Sequence, residues 1–267
     1  MRELRLRVPA AAVEDVLDRL LPLVPGGVRE VADGDDVELR MRGETVPPIA
    51  DVLGAAERWP HRVTEFELPD DWRERRVLDY VPELIGGRLV VRPDWAPAAR
   101  GAQLEIVLAA GSAAFGAGTH PTTRTCLELL LDFPVAGSFA DLGTGSGVLA
   151  IAAAKLGWEP VTALDIDPES VATVAANASA NDVSVDSVVA DLAADASPPS
   201  DAFAANIPGW LHEPVAASLP AQARLALVSG FGPEQAPNVL GAYAARGMRE
   251  QRRIECHGWV IALLERD

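Results

Sequence analysis

Apolar and polar positions follow two regimes along this chain. Glu3 to Val8 alternates at the period of two that marks a half-buried strand, and Val13, Val16, Leu17, Leu20 and Leu21 then return at helical spacing. Val28 to Ala32 and Val37 to Met41 read as two further strands, with the hairpin signature Asp33-Gly34-Asp35-Asp36 between them. Pro47 to Trp59 predicts a second helix and Arg62 to Leu68 a closing strand. Strand, helix, strand, strand, helix, strand is the ferredoxin-like order, so residues 1–68 are expected to form a small α+β domain. Pro69 and Pro82 punctuate a connection over 69–85.

From residue 86 to 267 the pattern changes to apolar strands alternating with helices, which predicts an α/β domain with a Rossmann-like parallel sheet. Val135 to Ala140 leads into Asp141-Leu142-Gly143-Thr144-Gly145-Ser146-Gly147, and Val148 to Leu156 follows as a helix. Val161 to Asp165 reads as the next strand, Val185 to Ala190 as a third and Asp201 to Asn206 as a fourth, while Ala193 to Asp201 reads as a loop.

The chemistry sits where these strands end. A dinucleotide fingerprint wants G-x-G-x-x-G or A, but its sixth position falls on Val148, and the match is G-x-G-x-G. That pattern suits S-adenosylmethionine, which brings no pyrophosphate to the loop. Asp141 would lie near the ammonium of its methionine end, with Gly143 and Gly145 letting the backbone approach. A glycine turn that merely joins a strand to a helix is the alternative. Asp165 stands twenty-two positions after Gly143, near the spacing at which an acid meets ribose hydroxyls. The neighbouring Asp167-Pro168-Glu169 suits a helix start. Asp191 falls where a third strand would place a group beside adenine, or belongs to a solvated loop. Asn206, in Asn206-Ile207-Pro208-Gly209-Trp210, offers an amide oxygen that accepts a hydrogen bond from an amine without trapping its proton. Asn and Pro as simple turn formers are the other reading.

One further string is more specific: Phe115-Gly116-Ala117-Gly118-Thr119-His120-Pro121-Thr122-Thr123. With Asp141 to Gly147, Asp165 to Pro168, Ala205-Asn206-Ile207 and Ile85 to Trp95, it resembles the PrmA family, bacterial methyltransferases of large-subunit ribosomal protein eleven. The resemblance implies a class I methyltransferase fold and S-adenosyl-L-methionine as cofactor, held by Thr122, Gly143, Asp165 and Asn206. It also implies that Asn206 faces the acceptor, an amine of a lysine side chain or of the amino terminus of that ribosomal protein. In the family the amino-terminal domain holds the substrate, which extends the same expectation to residues 1–68. Gly116 and Gly118 would make a lid whose end starts a helix at Pro121-Thr122-Thr123, with His120 shaping the loop. The chain departs from the family text at Ala117, where a threonine is usual, and at Pro208-Gly209-Trp210. The departures keep open an acceptor that is another protein or a small amine. A nicotinamide-dependent oxidoreductase is the reading from a different class, and Val148 disfavours it.

Composition narrows the partners. At 267 residues and 49% apolar, the chain has enough material for two modest domains. A formal charge of −16 disfavours nucleic acid and favours a basic protein. The runs Arg73, Arg75, Arg76 and Arg249, Arg252, Arg253 read as solvated faces. Cys126 and Cys256 make no disulfide framework, and His61, His120, His212 and His257 lie at no metal-ligand spacing, so no metal is expected. No long apolar run and no leader is visible, so a cytoplasmic, monomeric enzyme without a membrane span is expected.

Overall fold

The computed structural model describes residues 2–24, 28–43, 46–67, 84–99, 101–109 and 120–266. The chain divides into two compact units, Met1–Val81 and Pro82–Asp267.

In the first unit, β1 (Arg2–Pro9) runs through a 3-10 turn (Ala10–Ala12) into α1 (Val13–Leu20). β2 (Arg29–Asp33) and β3 (Asp36–Gly43) form the hairpin, followed by α2 (Ile49–Ala56) and β4 (Arg62–Glu67). The antiparallel sheet has the order β2-β3-β1-β4, the ferredoxin-like arrangement. Leu4, Leu6 and Val8 share one face because strand side chains alternate, and they pack with Leu39 and Met41 against Val16, Leu17 and Leu20 of α1 and Val52, Ala55 and Ala56 of α2. Trp59 Nε1 donates to Asp15 Oδ2 at 2.9 Å, tying the end of α2 to α1 and holding that carboxyl below its usual range.

The second unit opens with Ile85, which pairs with Leu89 and is buried in this unit's core. The last described residues of the expected connection, Leu84 and Ile85, therefore belong to the second body, and residues 69–83 lie outside the described residues. β5 (Leu89–Pro93) and β6 (Leu104–Leu108) form a parallel pair beside the main sheet. After α3 (Pro121–Leu130) come β7 (Phe139–Leu142), α4 (Val148–Leu156), β8 (Val161–Asp165), α5 (Pro168–Ala180) and β9 (Asp186–Val189). β10 (Ala202–Asn206), α6 (His212–Ser218), β11 (Leu225–Phe231), α7 (Ala236–Ala244), β12 (Met248–Cys256) and β13 (Trp259–Arg266) complete it.

These strands form one seven-stranded sheet of order β12-β13-β11-β10-β7-β8-β9. It is parallel except at β13, which runs antiparallel to both neighbours. Both faces are covered. Phe139, Val161, Ala163, Ala204 and Leu227 enter one core cluster, while Ala140, Leu142, Leu164, Phe203, Ala205 and Val228 enter the other. That is why the inner strands are nearly continuous apolar runs rather than alternating ones. The chain winds from β7 through β8 to β9, then returns to place β10 on the other side of β7. The crevice at the carboxyl ends of β7 and β10 is thus the topological switch point, where ligands bind in open α/β sheets.

Candidate active site

β7 delivers its chain to the switch point through the glycine turn. Gly143 and Thr144 both donate backbone N–H groups to Leu164 O, at 2.8 and 2.9 Å, which fastens the turn to the neighbouring strand. Gly143 has φ +74°, and a Cβ there would fall 2.4 Å from Ile207 Cγ2, so only glycine lets the turn pass beneath the β10 connection. Gly145, with φ +53°, donates its N–H to Asp165 Oδ2 at 2.9 Å. Gly147 adopts φ +80° and caps α4.

Asp141 is 1% exposed, and its Oδ2 accepts from Thr144 Oγ1 at 2.7 Å and from Ala150 N at 3.1 Å. Burial pushes its carboxyl up to about 6 against the lowering effect of those two bonds. The carboxylate braces the turn from inside, so one of its oxygens is already committed before any ammonium arrives.

Asp165 closes β8 and is held at both oxygens: Oδ2 by Gly145 N and Oδ1 by Asp167 N at 3.0 Å. A carboxylate has about four acceptor positions, so lone pairs remain for hydroxyl donors. Asp167 caps α5, accepting from Glu169 N at 3.0 Å and from Ser170 N at 3.3 Å. Asp191 follows Ala190, whose N–H donates to Asp165 O at 2.9 Å, so the ends of β8 and β9 lie side by side. Its own loop is an ordered turn: Asp191 N donates to Asp195 Oδ2 at 2.8 Å and Asp191 Oδ1 accepts from Ala193 N at 2.9 Å.

The fourth group comes from β10. Asn206 Nδ2 donates to Thr122 Oγ1 at 3.1 Å, joining residues far apart in sequence. A longer contact, 3.5 Å, reaches Thr123 Oγ1. Thr122, 1% exposed, sits in the first turn of α3, where Pro121 occupies the position that needs no N–H donor. The helix is capped by His120, whose Nδ1 accepts from Thr122 N at 3.3 Å and lies 2.7 Å from Thr122 Oγ1. Nδ1 is therefore the acceptor in a chain that runs from the Asn206 amide through the Thr122 hydroxyl to His120. Burial, with His257 nearby, lowers the His120 ring to about 4, so it stays neutral at pH 7. Among the described residues no hydrogen bond ends on Asn206 Oδ1. The amide is pinned through its nitrogen, and its oxygen remains an acceptor.

Thr122, Asp141, Gly143, Gly145, Asp165, Asp191 and Asn206 thus lie on the ends of adjacent strands and the helix start facing them. Phe115 to Thr119, the glycine portion of the expected lid, lies outside the described residues. Sequence reasoning missed His212, which is buried and reaches both Ile207 O and Ser229 O behind the Asn206 turn. It also missed Asn177 of α5, whose Nδ2 donates to Ser146 O at 2.8 Å while its Oδ1 accepts from Ala109 N. Neither carries a local motif, and each is one polar position among several in its helix.

The sequence profile described as ribosomal protein L11 methyltransferase (PrmA) matches residues 50–267. This chain belongs to that family. A PrmA relative from Heliobacterium modesticaldum, named ribosomal protein L11 methyltransferase, is 33% identical over 267 residues, covering 95% of this chain and 84% of its own. One of the same name from Chromohalobacter salexigens is 37% identical, with 85% and 77% covered. A third, from Geobacter metallireducens, is 43% identical over 145 residues, and that match spans 54% of this chain and about half, 48%, of the relative. Among solved structures, ribosomal protein L11 methylase from Lactobacillus delbrueckii subsp. bulgaricus superposes with a TM-score of 0.59 at 27% identity, over 70% of this chain and 98% of that one. The PrmA profile takes in every residue of the cluster described above.

Proposed function

We propose that the chain is an S-adenosylmethionine-dependent protein N-methyltransferase acting on amines of ribosomal protein L11, the protein for which its relatives are named. The observation that carries this reading is the pinned Asn206 amide at the switch point, donating to Thr122 and leaving its oxygen free to accept.

The residues present fit the cofactor. Gly143 removes the side chain that would otherwise collide with Ile207, Asp165 keeps hydroxyl-accepting lone pairs at the rim, and no glycine occupies position 148 for a pyrophosphate. Thr122, Gly143, Gly145, Asp165 and Asp191 would hold it, Asp141 through the turn that it braces. When bound, S-adenosylmethionine supplies a methyl group on a positively charged sulfur.

The work left to the chain is placement. A lysine amine has a pKa near ~10.4 in water, and burial beside the uncharged Asn206, Thr122 and His120 favours its neutral, nucleophilic form. Asn206 Oδ1 accepts an N–H of that amine and turns its lone pair toward the methyl carbon. His120 does not act as base, because its Nδ1 is committed to Thr122.

The acceptor is a basic ribosomal segment, attracted by a chain of charge −16. Residues 1–68 serve as the substrate-holding domain and the residues between it and Leu84 as its connection, and the enzyme works in the cytoplasm, where ribosomal proteins are made. No helix among the described residues is long and apolar enough to cross a membrane.

Incubation with S-adenosylmethionine and unmodified L11, followed by mass spectrometry, tests the reading. Mass gains in steps of one methyl, abolished in Asn206→Ala, are expected. By calorimetry Asp165→Ala should weaken cofactor binding roughly tenfold or more, on the scale of a lost charge-assisted hydrogen bond. Parent-like affinity there would remove Asp165 from the ribose position.

A further inference from the structure

Asn206 owes its direction to the backbone that carries it. Directly after it, Ile207 is held on both sides of its Cα: its N–H donates to Ser229 O at 3.0 Å, and its carbonyl meets His212 Nε2 at 3.2 Å. The same Nε2 lies 3.0 Å from Ser229 O. The next residue, Pro208, has no N–H with which to anchor the turn. Ile207 O also fills the space where a side chain on Gly230 would be, 2.3 Å from a Cβ built there at φ +90°. The ends of β10 and β11 therefore interlock, and among the described residues the one side chain bonded to both is His212.

Its chemistry is unambiguous in this setting. Two carbonyl oxygens face Nε2, and carbonyls only accept, so Nε2 carries the proton. Nδ1 then accepts from the Tyr243 hydroxyl at 2.9 Å. The ring packs edge-on against Phe231 and Tyr243, with centroids 5.0 and 5.8 Å apart, and is fully buried. One tautomer and one ring orientation satisfy every partner. Burial lowers the ring to about 4 despite the two carbonyls, so the neutral form is the one present at neutral pH.

We propose that His212 is a positioning residue for methyl transfer: by bridging Ile207 O and Ser229 O from a tautomer set by Tyr243, it fixes the Asn206-Ile207-Pro208 turn and with it the direction in which Asn206 presents its amide oxygen. The proposal rests on the reading that Asn206 faces the acceptor amine. His212 itself touches neither cofactor nor acceptor, so removing it loosens geometry rather than chemistry. The effect belongs in kcat, since the cofactor-holding residues on β7 and β8 are anchored independently of it.

The test uses three variants of the full chain. His212→Leu keeps bulk and removes the donor, His212→Gln restores an N–H donor, and Tyr243→Phe removes the hydroxyl that sets the tautomer. For His212→Leu, kcat for methylation of L11 is expected to fall at least tenfold, with the Kd for S-adenosylmethionine and the KM for the acceptor within about twofold of the parent. His212→Gln should recover most of that loss, and Tyr243→Phe should fall between them. A second readout needs no acceptor: the side-chain amide resonances of Asn206 in a 15N-labelled sample, assigned by their loss in Asn206→Ala, should shift in His212→Leu and return toward the parent in His212→Gln. Unmoved amide resonances, or a kcat that falls only with the folded fraction, overturn the proposal. Should His212→Leu fail to fold, Tyr243→Phe decides by the same two readouts. A parent enzyme that leaves L11 unmethylated would defeat the functional reading alone, while the amide resonances would still decide the positioning role.

Discussion

Thr122→Val isolates the hydroxyl that joins α3 to β10. Valine keeps the branched shape but removes Oγ1, which receives Asn206 Nδ2 at 3.1 Å and lies 2.7 Å from His120 Nδ1. The residue is 1% exposed, so water does not replace what is lost. Asn206 retains only the 3.5 Å contact to Thr123, beyond good hydrogen-bond length, and His120 retains the 3.3 Å bond from Thr122 N. Two hydrogen bonds at about 1 kcal/mol each give an expected destabilisation of roughly 2 kcal/mol by urea unfolding. The amide is then no longer pinned. If about 1.4 kcal/mol of orienting energy is withdrawn, single-turnover methyl transfer slows about tenfold. Thr122→Ser, which keeps the hydroxyl, should restore most of both losses. Because the threonine acts on transfer partly through the amide, the double variant Thr122→Val with Asn206→Ala should transfer little more slowly than Asn206→Ala alone. A Thr122→Val enzyme within 0.5 kcal/mol of parent stability (roughly the scatter of a neutral surface substitution) and within about twofold in rate would refute the coupling, as would full additivity of the two rate losses.

Gly143→Ala should lose cofactor affinity by about tenfold or more and stability by ~1–3 kcal/mol, because it combines φ +74° with a Cβ 2.4 Å from Ile207 Cγ2. Calorimetry and thermal melting would show it, and parent-like values for both would mean that the turn relaxes freely. Acid should destabilise the chain between pH 6.5 and pH 4. His120 and His212 have folded-state values depressed to about 4, so the unfolded state takes up their protons first and stability is lost as pH falls through that window. Asp141, raised to about 6, works the other way and is favoured in its protonated form as pH falls. At about 1.4 kcal/mol per pH unit, two histidines against one carboxyl leave a net loss of roughly 3 kcal/mol from pH 7 to pH 4.5. Urea midpoints that stay level or rise over that range would contradict these assignments.

Much of this protein was legible because it is local. The ferredoxin-like order came from periodicity and from Gly34, whose φ of +67° makes the tight turn between β2 and β3. The strand, glycine turn and helix from Phe139 to Leu156 came from an apolar run broken by glycines, and the spacing from Gly143 to Asp165 reflects the length of one helix and one strand. The terminal strands β12 and β13 were not read: β12 keeps a largely exposed, charged surface, so its pairing with β13 leaves little apolar alternation to see. The parallel pair β5 and β6 escaped for a related reason, since Asn181, the C-cap of α5, completes the hydrogen bonding at Val107 with a side chain rather than a strand.

Legible in the sequence were the elements of the first unit, the run from β7 to β8, the glycine turn within it and the acid that follows, because each depends on neighbours within one supersecondary unit. Tertiary structure alone decided what those groups do to one another. Sheet order puts β10 beside β7, bringing Asn206 to Thr122, Ile207 over Gly143 and His212 to Ser229 O. It also turned the Asp141 carboxylate into the turn that it braces. Periodicity records which face of an element is buried, but it does not record which other element will bury it.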